Sequence, residues 1–142
     1  PKLKVKMTTS KETEVHYVPK GVLITLHINP QPASRPRVTR WGTYYGKKYA
    51  EWMALANKLL PDATSTLSGP LSVYTEFHGK KPKTTKRQFP VGDIDNHEKA
   101  IWDVLTKKGY WTDDDLIIKS HSIKKYAEGE GFISIVIKEA SL

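Results

Sequence analysis

Cysteine is absent from this chain of 142 residues. That excludes a disulfide framework and every thiolate metal site, and leans towards the cytosol without requiring it. At this length one domain can bury a core of its own, so folding needs neither a disulfide nor a structural metal. Long apolar runs are absent as well. None approaches the roughly 20 residues of a membrane helix, and no apolar stretch near the first residues reads as a secretory signal. The expectation is a cytoplasmic protein with no membrane partner. Phosphate-loop and GxSxG sequences are missing too. The five histidines, His16, His27, His78, His97 and His121, have no zinc spacing, and His97 reads as an ordinary surface residue. An EF-hand loop beginning at Asp93 would need glycine sixth and glutamate twelfth, where the chain has Glu98 and Val104.

Acidic residues are scarce in most of the chain and crowded in one part of it. Residues 1–92 hold 16 lysines and arginines against 5 acids, a balance of +11, whereas residues 93–142 hold 7 against 10, a balance of −3. The whole chain is +8. A basic part beside an acidic patch suggests nucleic acid bound next to a metal site. The alternative is positive charge that serves only solubility.

Periodicity places the elements. Residues 1–20 look peripheral: KLKVKM alternates like a short strand, but TTSKETE reads as a polar loop. Gly21–Asn29 and Leu71–His78 alternate as strands. The prolines and the Trp-Gly pair between Pro30 and Gly46 make that stretch irregular. Lys47–Leu60 repeats apolar residues at helical spacing and stops at Pro61. Asn96–Lys108 is a second helix with a stripe of Ala100, Ile101, Val104 and Leu105, closed by Gly109. Leu116–Tyr126 and Phe132–Lys138 are strands separated by EGEG, which predicts a hairpin. The result is one α/β (α+β) domain in βαβαββ order.

Six aspartates fall between Gly92 and Ile118. Asp93 and Asp95 flank Ile94 just before the second helix, and in extended chain they point to one side. Lys99 and then Asp103 follow at steps of four, along one polar edge of the helix. Asp113, Asp114 and Asp115 precede the next strand, and meet the first pair if that strand starts near the beginning of the helix. Hard carboxylate oxygens are what Mg²⁺ takes, and a lysine beside them offsets charge developing on phosphorus. Ordinary readings stand beside this one. Asp95 with Glu98 fits a capping box, Asp95 with Lys99 fits an i,i+4 ion pair, and Asp113–Asp115 fits a solvated turn.

The same residues carry a resemblance. D-x-D-N-x-x-K-x-x-x-D-x-L, then W-x-D-D-x-x-I, here Asp93, Asp95, Asn96, Lys99, Asp103, Leu105, Trp111, Asp113, Asp114 and Ile117, is similar to the RusA family of Holliday junction resolvases. The upstream NPQPASRPRVTRWGTYY and the closing YAEGEGFISIVI resemble the same family, so the likeness runs over residues 22–138. It implies a RusA-like mixed four-stranded sheet with two main helices over residues 21–142, and residues 1–20 as an N-terminal extension. It implies a homodimeric, Mg²⁺-dependent endodeoxyribonuclease, with Mn²⁺ as a substitute, that resolves four-way DNA by paired nicks. Recombination, repair or phage DNA processing in a bacterial or phage setting would be its role. By resemblance Asp93, Asp95 and Asp114 are the essential acids and Lys99 the essential lysine. Asp113 is a further or alternative ligand, and Asp103 and Asn96 are supporting residues. Val91-Gly92 stands where relatives carry a basic residue, and His97 where leucine is more usual.

Phosphate contacts fall on Arg35, Arg37, Arg40, Lys47 and Lys48, and on the loop of Lys80, Lys81, Lys83, Lys86 and Arg87. Phe89 is expected to be buried against the second helix rather than wedged between bases. Two rival functions remain open at this point: a basic DNA-binding module without catalysis, and a metal nuclease for flaps or RNA.

Overall fold

The computed structural model describes residues 12–34, 37–44 and 46–142. In chain order the elements are β1 (Glu14–Val18), β2 (Gly21–Leu26), β3 (Arg37–Thr39), β4 (Gly42–Tyr44), α1 (Lys47–Leu59), β5 (Leu71–Gly79), α2 (Ile94–Lys107), a 3-10 turn (Asp114–Leu116), β6 (Ile117–Tyr126) and β7 (Phe132–Glu139). Period-two alternation builds the sheet. Val22, Ile24 and Leu26 of β2, Val73 and Phe77 of β5, and Ile133, Ile135 and Ile137 of β7 are all buried. The register sets them side by side, with Val22 opposite Ile137 and Val73 opposite the same residue from the other flank. This face joins Tyr49, Trp52 and Ala56 of α1 and Ala100, Ile101, Val104 and Leu105 of α2 in one apolar cluster. The α+β class expected from the pattern is the class observed.

Two expectations about the sheet need correction. It has five strands, not four, in the order β1-β2-β7-β5-β6, and a separate two-stranded ribbon of β3 and β4 occupies the stretch read as irregular. The added edge strand, β1, lies within the stretch read as peripheral. Its Glu14 and His16 are polar because an edge strand with one open face has little to bury. It folds back on β2 through a tight turn at Lys20, whose φ is 59°. KLKVKM lies outside the described residues. The hairpin expected of β6 and β7 does not form, because β5 lies between them. It pairs parallel with β6 and antiparallel with β7. The connecting EGEG segment therefore arches over the end of β5. Ala127 N–H donates to Gly79 O at 2.8 Å, and a Cβ on Gly131 would sit 2.9 Å from His78 O.

The parallel β5–β6 pair forces a crossover, which α2 supplies, and aromatic anchors hold its far end. Tyr110 and Trp111 are each 1% exposed. The Tyr110 hydroxyl donates to Pro61 O at 2.7 Å, and Trp111 Nε1 donates to Thr106 Oγ1 at 2.5 Å. Burial of the phenol, with Tyr17 and Asp62 nearby, pushes its pKa well above the ordinary tyrosine range. Among the described residues, no helix is long and apolar enough to cross a membrane.

Candidate active site

The site is built on α2. Its stripe begins earlier than the sequence suggested: His97 is 2% exposed and continues the buried positions 100, 101, 104 and 105. The expectation of a surface histidine is therefore wrong. The helical spacing carried the signal, because 97 precedes 100 and 101 by three and four. The imidazole packs 5.3 Å from the Phe77 ring, its Nε2 lies 3.2 Å from Val91 O, and its Nδ1 has no partner. Burial lowers its pKa, the Val91 carbonyl opposes that, and Lys124 adds to the lowering.

The helix starts at Ile94, two residues before the expected Asn96, with Asp93 at the N-cap. The two aspartates are thus an extended residue and a residue of the first turn, so the same-side rule for strands does not apply to them. Asp93 makes no side-chain cap bond; its carbonyl accepts the N–H groups of Asn96 and His97, each at 3.1 Å. Asn96 O in turn accepts from Ala33 N–H at 2.9 Å. Both Asp93 and Asp95 are exposed. Gly92 delivers them with φ +103°, and a Cβ there would lie 2.8 Å from Pro32 Cγ and 3.0 Å from His97 Nε2. Lys124, which sequence reasoning missed, reaches over from β6 and donates to Gly92 O. A lysine in an alternating strand carries no local sign of such a contact.

The capping box does not form. Glu98 instead accepts from Ser120 Oγ at 2.7 Å and Ser122 Oγ at 2.5 Å, which ties α2 to β6. Nor does Asp95 pair with Lys99. Lys99 Nζ lies 3.5 Å from Asp103 Oδ1. Asp113 caps the 3-10 turn by accepting from Asp115 N–H at 3.1 Å, and Asp115 is exposed. The carboxyl of Asp114 is raised in pKa, first by partial burial, then by a hydrogen bond and repulsion from Asp113 and by Asp103; Lys99 partly offsets this. Lys99, Asp103, Asp113 and Asp114 therefore share one electrostatic neighbourhood.

Asp93 and Asp95 lie at the other end of the helix. Because β6 runs parallel to β5, it begins opposite Leu71, far from the Gly79 end where the chain leaves for α2. Asp93 and Asp103 are ten residues apart, which at the rise of an α-helix is about 15 Å. The acids thus form a strip along α2 rather than one knot, and among the described residues no three His, Asp or Glu side chains are grouped to hold a metal ion. The chemistry of the strip nevertheless suits a hard cation. Its donors are carboxylates, and beside the larger effect of burial, the repulsion of Asp114 by Asp113 and Asp103 is what a divalent ion would relieve.

The basic residues divide. Arg35 and the side chain of Arg37 lie outside the described residues. Arg40 stacks 4.8 Å over Trp41 at the tip of the β3–β4 ribbon, and Lys47 and Lys48 begin α1. Lys80 pairs with Glu130 at 3.0 Å, and Lys81 lies 5.9 Å over Tyr126. Lys83 and Lys86 are exposed. Phe89 is 52% exposed, with Arg87 and Lys124 at 5.0 and 5.4 Å over its ring, so its expected burial is wrong. The α2 stripe already fills the core, and two cations hold the ring at the surface.

These features define a class: a small basic α+β domain that strings carboxylates along one helix and gathers basic loops beside its start. Residues 27–138 match the family described as Endodeoxyribonuclease RusA, and the chain belongs to that family. It is 33% identical over 73 residues to a Crossover junction endodeoxyribonuclease RusA of Escherichia coli, covering 51% of this chain and 55% of that protein. It is 41% identical over 46 residues to a protein of the same name from Aquifex aeolicus, covering 32% of this chain and 36% of that one. The chain thus spans about half the length, or less, of the curated relatives it matches.

Proposed function

We propose that this chain is a Mg²⁺-dependent, structure-selective endodeoxyribonuclease that resolves four-way DNA junctions by paired nicks. It acts as a homodimer in the cytoplasm of a bacterium, in recombination, repair or phage DNA processing. The observation that carries the reading is family membership over residues 27–138, joined to exposed carboxylates at the start of α2. Asp93 and Asp95 at the start of α2, and Asp114 with Asp113 beside Lys99, would be the carboxylates that meet metal along the strip; Mn²⁺ takes the same oxygen donors. Bound there, the ion supplies Lewis acidity and an activated water.

The chain's own residues do the rest. Lys99 presents a positive charge beside the strip, where it offsets charge developing on phosphorus. Asp103, 3.5 Å away, orients that ammonium. Asn96 supports the site through its backbone, which anchors Ala33 and so the loop after β2. Gly92, Lys124 and His97 set the peptide that presents Asp93. Arg40, Lys47, Lys48 and the Lys80–Arg87 loop bind phosphates, together with Arg35 and Arg37.

The test is a nicking assay on a synthetic four-way junction, in Mg²⁺ and in EDTA, with flap, linear duplex and RNA competitors. Symmetric nicks that need the metal, and that Asp93→Asn abolishes while junction binding persists, are expected. Undiminished cutting by Asp93→Asn would sink the role assigned to that residue, and preferred cutting of flaps or RNA would replace the junction as substrate.

A further inference from the structure

Strands β2, β5 and β6 all run in one direction, since β2 and β5 are each antiparallel to β7 and β6 is parallel to β5. Their carboxyl ends therefore share one edge of the sheet, which is where open α/β sheets place ligands. The loops leaving β2 and β5 enclose a cleft of about 550 Å³ at that edge. The volume falls in the usual range for small-molecule sites, roughly 300–1,000 Å³. Both helices begin here, because Lys48 in the first turn of α1 and His97 in the first turn of α2 line it. Helix N-termini favour anions. Lys48 and Arg87 add full charges in the same sense, whereas Lys80 is occupied by Glu130.

The cleft is not only an anion site. Pro32, Pro90 and Tyr126 give it flat apolar walls, and Gln31 and Thr84 bring an amide and a hydroxyl. The buried Nδ1 of His97, a residue of the same lining, has no partner. Flat walls, hydrogen-bonding edges and a cationic rim together describe a nucleotide: the base takes the first two and the phosphate the third. The lining also includes Val91, two residues before Asp93. A duplex is too wide for this cleft, but a single base turned out of its stack is not, and unstacking costs least where pairing is already interrupted.

We propose that the cleft seats one unpaired nucleotide of the DNA strand being cut, next to the phosphate held at the acid strip. This rests on the nuclease reading above and adds to it the site that engages the strand. Its phosphate lies towards Lys48 and Arg87, and its base lies between the proline and tyrosine walls.

The experiment uses the wild-type chain in EDTA and four-way junctions carrying 2-aminopurine at each nucleotide flanking the branch in turn. A severalfold rise in fluorescence at one or two positions is expected on binding, as that base leaves its stack. Thr84→Trp, which fills the cleft from an exposed loop position, removes the rise, and Gln31→Trp does the same from the other side. Junction binding without a rise at any position, or a rise that survives both variants, overturns the cleft and leaves the nuclease reading standing. Failure of the wild-type chain to shift the junction in a gel overturns both.

Discussion

At the scale of single residues, two ionisable groups sit at odds with their surroundings, in opposite directions. Burial holds the His97 imidazole below its ordinary value. The folded protein therefore refuses a proton that the unfolded chain accepts below about pH 6.5. Stability should fall as pH drops from that value towards the lower folded one. The expected outcome is an unfolding free energy in EDTA that declines between pH 7.5 and 5.5. His97→Leu should flatten this decline, at the cost of the contact with Val91 O. Asp114 is displaced the other way. Its folded pKa is raised, so its stabilising contribution exists below the unfolded value and is lost as pH rises through the folded one. At neutral pH its charge is a burden. Asp114→Asn should raise stability in EDTA by up to about 1 kcal/mol, the scale of exposed charge pairs. Added Mg²⁺ should stabilise the wild type and not the variant. Equal Mg²⁺ stabilisation of both would remove Asp114 from the ligand set. Neither shift was legible beforehand in a list of charged residues. The three-and-four spacing carried the signal for His97, although it was read as a surface residue, whereas the company that Asp114 keeps depends on where α2 ends.

At the scale of elements, α2 and the turn before it decide how the acids are presented. The helix is held to β6 by Glu98, and the loop before it is held to the helix by His97 and to β6 by Lys124. Gly92 is the hinge of that presentation. Its φ of +103° and the proximity of Pro32 and His97 leave no room for a side chain. Gly92→Ala should cost about 2 kcal/mol, the scale of a strained backbone residue, read as a shift in the urea midpoint. It should also weaken cleavage more than junction binding, because it displaces Asp93 rather than the basic loops. An unchanged midpoint would mean that the loop relaxes freely around the new methyl group. The Val-Gly pair was visible in the sequence as a departure from relatives. Its geometric necessity was not, because Pro32 approaches from sixty residues earlier in the chain.

For the whole molecule, charge and topology act together. Residues 29–32 and Lys48 meet the Lys80–Val91 loop, with Lys80 and Arg87, near the carboxyl ends of β2 and β5, although long stretches of sequence separate them. Binding to a junction should therefore weaken steeply with salt. The slope of log K against log salt should be near −0.9 for each phosphate neutralised on duplex-like arms. Lys83→Ala and Lys86→Ala, both in an exposed part of the second loop, should each reduce the slope by about one if they contact phosphate. A flat titration between 50 and 200 mM salt, the range over which such contacts are lost, would take this surface out of DNA binding.

Alternation and helical spacing depend only on near neighbours along the chain. For that reason β2, β5, β6, β7, α1 and α2 were legible to within a few residues, as were the acids and the family resemblance of residues 22–138. Pairing between distant strands is not a local property. EGEG reads as a hairpin turn, yet β5 enters between β6 and β7, where both of its edges are paired and its apolar face joins the core. That insertion makes β5 and β6 parallel, and the parallel pair sends α2 from one end of the sheet to the other. Asp93 and Asp95 are thereby parted from Asp114, and the start of α2 is brought to the cleft. The composition of the site belongs to the sequence, while its division into a helix-start pair and a distal group belongs to the tertiary structure.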